Sequence, residues 1–234
     1  MDPNIMDAAG NGLRTVRSFV LRNGRMTAAQ ERAWLELWPR YGIEAGQGAL
    51  VLAELFGREA PCTLEIGFGN GEHLVARAAA SPERNFLGVE VHRPGVGQLL
   101  HAAARARLGN LRVIRQDAVE VLEHRLGSGT LDEVQLLFPD PWPKSRHHKR
   151  RIVQPAFVAL VADRLRRGGE LQLATDWEPY AEHMRLVLEN CALLENAAGA
   201  AVWSARPAYR AATRFERRGE KLGHAVRDLT FRKK

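Results

Sequence analysis

From residue 62 to residue 190 the chain repeats one pattern: a run of five to seven residues that reads as a buried strand, then a longer stretch with helical spacing. The strand-like runs are Cys62–Ile66, Asn85–Val91, Leu111–Gln116, Glu133–Phe138 and Glu170–Thr175. Helical stretches lie near Gly71–Ala80, Val96–Leu108, Ala118–Leu126, Gln154–Arg167 and Glu178–Asn190. Such an alternation predicts an α/β fold, a doubly wound and mostly parallel sheet with helices on both faces, because each crossover must return right-handed over the sheet. The run Ala225–Phe231 predicts a closing antiparallel strand. Upstream, Thr27-Ala-Ala-Gln30 reads as a capping box opening a helix to about Leu37, which Pro39 and Gly42 are expected to close. The 234 residues contain no internal repeat and no low-complexity linker. One domain over residues 27–234 is therefore predicted, preceded by a flexible basic arm over residues 1–26.

The first of these strands runs into Glu65-Ile-Gly67-Phe-Gly69-Asn-Gly71 and then directly into a helix. Glycines here let the backbone turn tightly and approach a ligand at the helix N-terminus. A dinucleotide fingerprint would place its third glycine at position 72, which is Glu72, where a charge would oppose a pyrophosphate. The Gly-x-Gly-x-Gly spacing suits a cofactor without pyrophosphate, although a plain strand-to-helix turn has the same composition. Glu90 ends the second strand, where a carboxylate can accept from both ribose hydroxyls. Asp117 ends the third, placed to accept from an adenine amino group. Both could equally be helix N-caps. Taken together, three acidic strand ends around this turn point to S-adenosyl-L-methionine. All of them fall at the carboxyl ends of the strands, where such sheets hold their ligands.

The fourth strand delivers Leu136-Leu-Phe138 into Pro139-Asp140-Pro141-Trp142-Pro143-Lys144. Three prolines fix φ at alternating positions, so the segment is expected to be stiff and extended, presenting Asp140 and Trp142 at the sheet edge. A merely rigid loop is the alternative. Charge supplies a second signal. The net charge is +7, and residues 206–234 alone hold ten basic and three acidic side chains. Lys144–Arg151 adds five basic residues and no acid, and Arg14, Arg17, Arg22 and Arg25 cluster near the start. Single charge runs are usually solvated faces, but several on one domain of pI near 10 favour a polyanionic partner. No apolar run is long enough to cross a bilayer and no signal peptide is visible, so neither membrane association nor export is expected. Two cysteines, Cys62 and Cys191, form no disulfide or metal framework and fit a reducing cytoplasm.

Pro139–Lys144 followed by Arg146-His-His-Lys-Arg-Arg-Ile152 resembles the signature of the tRNA (guanine-N7)-methyltransferase family. So do Thr175-Asp-Trp177, Thr213-Arg-Phe-Glu-Arg-Arg-Gly219, Leu222-Gly-His224, and the arm from Ser18 to Arg25. The resemblance covers residues 14–234 and implies a Rossmann-like S-adenosyl-L-methionine-dependent fold acting on guanosine 46 of the tRNA variable loop. It implies that Glu65, Gly67, Gly69, Glu90 and Asp117 bind the cofactor, with Asp140 at its reactive end. Lys144, Asp176, Thr213, Arg214, Phe215 and Glu216 would hold the guanosine. Arg146, His147, His148, Lys149, Arg150 and Arg151 would touch the RNA backbone. No metal and no obligate protein partner are expected.

The chemistry is consistent. Guanine N7 carries an in-plane lone pair and loses no proton on methylation, so catalysis rests on alignment and charge rather than on a general base. Competing readings are a methyltransferase for an exocyclic amine and an RNA-binding module that kept the fold. Thr213-x-x-Glu216 also reads as a capping box. His147 and His148 lack a third metal ligand and are more simply solvated or phosphate-facing. Trp34 and Trp38, one helical turn apart, read as a packing face.

Overall fold

The structure, a computed structural model, describes residues 17–19, 25–210, 216 and 225–234. Helix α1 (Ala28–Tyr41) opens with the expected capping box, Thr27 Oγ1 accepting from Gln30 N at 3.2 Å and Gln30 Oε1 from Thr27 N at 2.8 Å. Then follow β1 (Gly42–Ile43), α2 (Leu52–Phe56), β2 (Cys62–Ile66), α3 (Glu72–Ala80), β3 (Asn85–Val89), α4 (Arg93–Arg105) and β4 (Leu111–Ile114). The second half comprises α5 (Ala118–His124), β5 (Leu131–Leu137), a 3-10 turn Ser145–Arg150, α6 (Pro155–Arg164), β6 (Leu165–Thr175), α7 (Glu178–Glu189), β7 (Leu194–Asn196) and β8 (Arg227–Lys233).

The sheet runs β1-β4-β3-β2-β5-β6-β8-β7. Strands β1 to β6 pair in parallel, and β8 is antiparallel to both β6 and β7, as the alternation predicts. Every residue of β2 and of β3 is buried, because helices cover both faces. On one face Leu64, Leu87 and Val89 pack with Val121, Phe157 and Val161; on the other, Phe86, Leu111 and Val113 meet Leu74, Leu99 and Leu100.

Three expectations need correction. Pro39 does not end α1. The helix continues to Tyr41, which is fully buried, and only Gly42 closes it, its N–H donating to Trp38 O. The Trp34–Trp38 stack at 4.4 Å and the burial of Tyr41 outweigh one lost backbone bond. Second, Leu165–Arg167 is strand rather than helix, since Leu165 pairs with Leu131 of β5. Third, β1, α2 and β7, with two, five and three residues, are too short to carry a readable period.

Inside the sheet lies a polar cluster. Glu133 of β5 accepts from Arg77 Nη2 at 3.0 Å, Thr63 Oγ1 at 3.0 Å, Gln135 Nε2 at 2.8 Å and Tyr209 OH at 3.1 Å. The Arg77 guanidinium lies 3.7 Å from the centre of the Tyr209 ring. The side chains of Arg77 and Glu133 are each 8% exposed, so each buried charge is balanced chiefly by the other.

Candidate active site

The chain leaves β2 toward β3 and β4 on one side and returns to its other side with β5, so the order reverses between β2 and β5. Ligand crevices form at such reversals, beyond the carboxyl ends of the strands. Ile66 pairs with Leu136 and Leu136 with Leu173. The glycine turn after β2, the proline segment after β5 and Asp176 after β6 thus stand side by side. No periodicity in the sequence specifies that adjacency.

Gly67, Gly69 and Gly71 all have positive φ, at 70°, 58° and 75°, which accounts for the spacing. Nothing lies within 4 Å of where a Cβ on Gly67 or Gly69 would project, so the turn faces open space. A Cβ at Gly95, by contrast, would meet Gly69 O at 2.1 Å, so α4 can approach the turn only through a glycine. Glu90 is 9% exposed and accepts three backbone N–H groups: Gly69 at 2.8 Å, Val91 at 2.7 Å and His92 at 2.9 Å. It therefore both braces the glycine turn and keeps a fixed orientation toward the crevice. Glu65 is buried and bonded to His73 Nδ1 at 3.0 Å, while the buried His73 Nε2 has no partner among the described residues. Asp117 caps α5, accepting from Val119 N at 3.0 Å. Burial raises its carboxyl above the usual range, against the Val119 N–H and, more weakly, the nearby Arg17.

The segment after β5 is not simply extended. Phe138 and Trp142 have φ of 51° and 45°, in the left-handed region that bulky residues rarely adopt, so the chain bends at both ends of Pro139–Pro141. Asp140 is exposed between these bends. Arg151 holds the segment from below, its Nε donating to Pro141 O at 3.0 Å and its guanidinium 4.8 Å from the centre of the Tyr180 ring. Burial pushes the Tyr180 hydroxyl up to about 12, with nearby Asp140 adding weakly in the same direction.

These contacts correct part of the expected RNA face. Arg151 is 4% exposed and supports the Asp140 segment instead of reaching a phosphate. Arg150 is half-buried, 4.0 Å from the Trp142 ring centre, and donates to Arg17 O and Phe19 O at 3.2 and 3.1 Å. Trp142 Nε1 donates to Ser18 O at 3.2 Å. Lys144, Arg146 and Lys149 remain exposed, whereas His147 and His148 are half-buried. Desolvation, and then the charges of Arg146, Lys144 and Arg150, hold the His147 imidazole below its ordinary range. Among the described residues no cluster of His, Cys, Asp or Glu could hold a metal ion, and no helix is long and apolar enough to cross a membrane.

Asp176 is half-buried at the end of β6. Thr213, Arg214 and Phe215 lie outside the described residues, as do residues 222–224. Glu216 is 1% exposed and clamped, accepting from Arg210 Nη1 and Nη2 at 2.8 and 3.1 Å, with Arg206 Nη1 at 3.1 Å. Arg210 also reaches Asp228 at 2.9 Å, and burial raises the Asp228 carboxyl against that pairing. Tyr209 and Arg210 belong to no motif along the chain. Tyr209 meets its partners Gln172 and Glu133 across 37 and 76 residues of chain, and no local spacing encodes that.

Comparison with known proteins agrees with this arrangement. A family model described as "Putative methyltransferase" matches residues 59–229. A tRNA (guanine-N(7)-)-methyltransferase of Alcanivorax borkumensis is 56% identical over 225 residues, 96% of this chain and 94% of that protein. Proteins of the same name from Chromohalobacter salexigens and Leifsonia xyli are 53% and 56% identical, covering 98% and 92% of this chain and 94% and 95% of their own lengths. Among solved structures, the 16S rRNA methyltransferase KamB superposes with a TM-score of 0.57 at 19% identity, covering 78% of this chain and 93% of that one, a likeness of fold. With its glycine turn, acidic strand ends and proline segment assembled at one sheet reversal, and with relatives this similar over nearly the whole chain, the protein belongs to the tRNA (guanine-N7)-methyltransferase family.

Proposed function

We propose that this chain transfers the methyl group of S-adenosyl-L-methionine to N7 of guanosine 46 in the variable loop of tRNA, in the cytoplasm. The observation that carries this reading is the exposed Asp140, held between two strained aromatic residues beside the glycine turn of the neighbouring strand. The residues present fit the cofactor. The glycine turn is open, Glu90 is fixed by three N–H bonds and retains acceptor capacity for ribose hydroxyls, and Asp117 borders a cavity of about 190 Å³. When bound, the cofactor supplies a methyl group on a sulfonium.

The protein's share is positioning and charge. Asp140 places a carboxylate where positive charge spreads into the purine as N7 acquires its substituent. Asp176, half-buried one strand away, is the acceptor we assign to the guanine N1–H and amino edge. Trp142 offers a surface against which an unstacked base can rest. Glu216, clamped by Arg206 and Arg210, is the residue we assign together with Thr213, Arg214 and Phe215 to holding the guanosine. The decisive experiment incubates unmodified tRNA with labelled cofactor and maps the product nucleotide; absence of label in any tRNA, with the cofactor bound, would sink the proposal. A substrate with 7-deazaguanine at the mapped position separates N7 from exocyclic amines, since continued methylation there excludes N7.

The exposed basic side chains define a sharper RNA test than the whole run. Replacing Lys144, Arg146 and Lys149 together by glutamine is expected to weaken all tRNAs alike. It should also flatten the logarithmic salt dependence of binding by up to about 0.9 for each phosphate no longer neutralised, taking duplex behaviour as the guide. An unchanged slope in filter binding between low and moderate salt would reduce this patch to a solvated face.

A further inference from the structure

The cavity at Asp117 is lined by Val91, just beyond β3, by Arg115, Gln116 and Asp117 beyond β4 with Glu120 of α5, and by Arg17 and Phe19 from the N-terminal segment. Val91 directly follows Glu90, whose orientation is fixed, so a nucleoside held by its ribose at Glu90 would extend its base into this cavity. Phe19 then gives an aromatic wall to this cavity, with Val91 as an apolar contact and the Asp117 carboxylate among its polar lining, an arrangement that suits a planar heterocycle bearing an amino group. We propose that Phe19 forms the outer face of the adenine slot, and that Trp142 and Arg150 act as positioning residues that latch it there. The proposal rests on the cofactor reading above.

The latch consists of three hydrogen bonds to successive backbone carbonyls: Arg150 Nε to Arg17 O, Trp142 Nε1 to Ser18 O, and Arg150 Nη2 to Phe19 O. Backbone acceptors make the latch independent of which side chains the arm carries, while register sets Phe19 over the cavity. The Arg17 guanidinium lies 5.9 Å from the Phe19 ring centre and within electrostatic reach of Asp117, closing the same side. Two donors of Arg150 are thereby committed to the arm. The segment that bears Asp140 and the wall of the cofactor slot form one connected unit, so the cofactor pocket is completed by residues on the substrate side.

Calorimetry with S-adenosylhomocysteine and with adenosine tests this on the full chain. Phe19→Ala is expected to weaken both ligands by about tenfold, toward the lower end of what loss of one base–aromatic stack costs, and Phe19→Tyr to restore binding. Adenosine is diagnostic because it lacks the amino-acid part, so an equal loss for both ligands places the interaction at the base. Arg150→Met, at a residue that does not itself line the cavity, should produce a comparable loss. The double variant should be no worse than Phe19→Ala alone, because both changes remove the same stack. Unchanged affinity of a Phe19→Ala protein with native circular dichroism overturns the slot. An Arg150→Met protein that loses tRNA affinity but keeps adenosine affinity overturns the latch. Failure of the wild-type chain to bind S-adenosylhomocysteine overturns instead the cofactor reading beneath both.

Discussion

Replacing Asp140 by alanine is expected to lower kcat by about 100- to 1000-fold while leaving the Kd for tRNA within about twofold, the pattern for a group that acts mainly as charge develops. Asp140 is exposed at the crevice, and the proposed nucleophile surrenders no proton, so the role proposed for its carboxylate is that of a fixed charge and not of a base. For a unit pair at ~4 Å and an effective dielectric of ~20 the attraction is roughly 4 kcal/mol, an upper bound that solvent reduces. The left-handed backbone at Phe138 and Trp142 fixes the bends on either side of Asp140, so Asp140→Asn, isosteric and neutral, isolates charge from shape. Single-turnover kinetics with both variants should give similar losses. An asparagine variant near wild-type rate would make geometry, and not charge, the contribution of this position; equal loss of tRNA binding would count against the role altogether.

Arg77→Met is expected to destabilise the fold by about 3–5 kcal/mol, the cost of leaving a buried charge without its partner. Arg77 and Glu133 are both buried, and after the substitution Arg84, 3.6 Å away and partly exposed, would be the one cation among the described residues paired with Glu133. At about 2–4 °C per kcal/mol for a chain of this size, the melting temperature should fall by roughly 10 °C. Changing Glu133→Gln in the same protein should recover most of the loss, because it removes the uncompensated charge while keeping hydrogen-bonding groups for Thr63 and Tyr209. A single variant that loses less than about 1 kcal/mol in urea titration would show that water or Arg84 already balances Glu133. The same network holds Tyr209, whose neighbour Arg210 clamps Glu216, so the Arg77 variant should also loosen the Arg210–Glu216 pair.

Much of this molecule is legible in its sequence because the relevant physics is local. Strands of β-branched and aliphatic residues buried on both faces, amphipathic helices between them, the Thr27–Gln30 cap and three positive-φ glycines each act within a few residues. The stiff proline segment is legible too, but its shape is not. Proline restricts its own φ and its predecessor, yet the left-handed bends fall on Phe138 and Trp142, where Arg151 below and the neighbouring strands dictate the path. Pro39 misleads for a related reason, since a terminator in isolation is overridden when the next turn buries a tyrosine.

The basic run 144–151 shows the limit most clearly. By composition its members are equivalent, but the fold sorts them: Lys144, Arg146 and Lys149 face solvent, Arg150 grips the arm, and Arg151 is buried under Asp140's loop. The sequence by itself determined the fold class, the glycine turn, the acidic strand ends and the family, because these are written as spacings along the chain. The sheet reversal between β2 and β5 decided which of them meet. The side-chain partners of Glu133, Glu90, Arg150 and Arg210 were likewise settled only in three dimensions, because a hydrogen bond depends on distance in space, to which a separation of 76 or 133 residues in the chain is no guide.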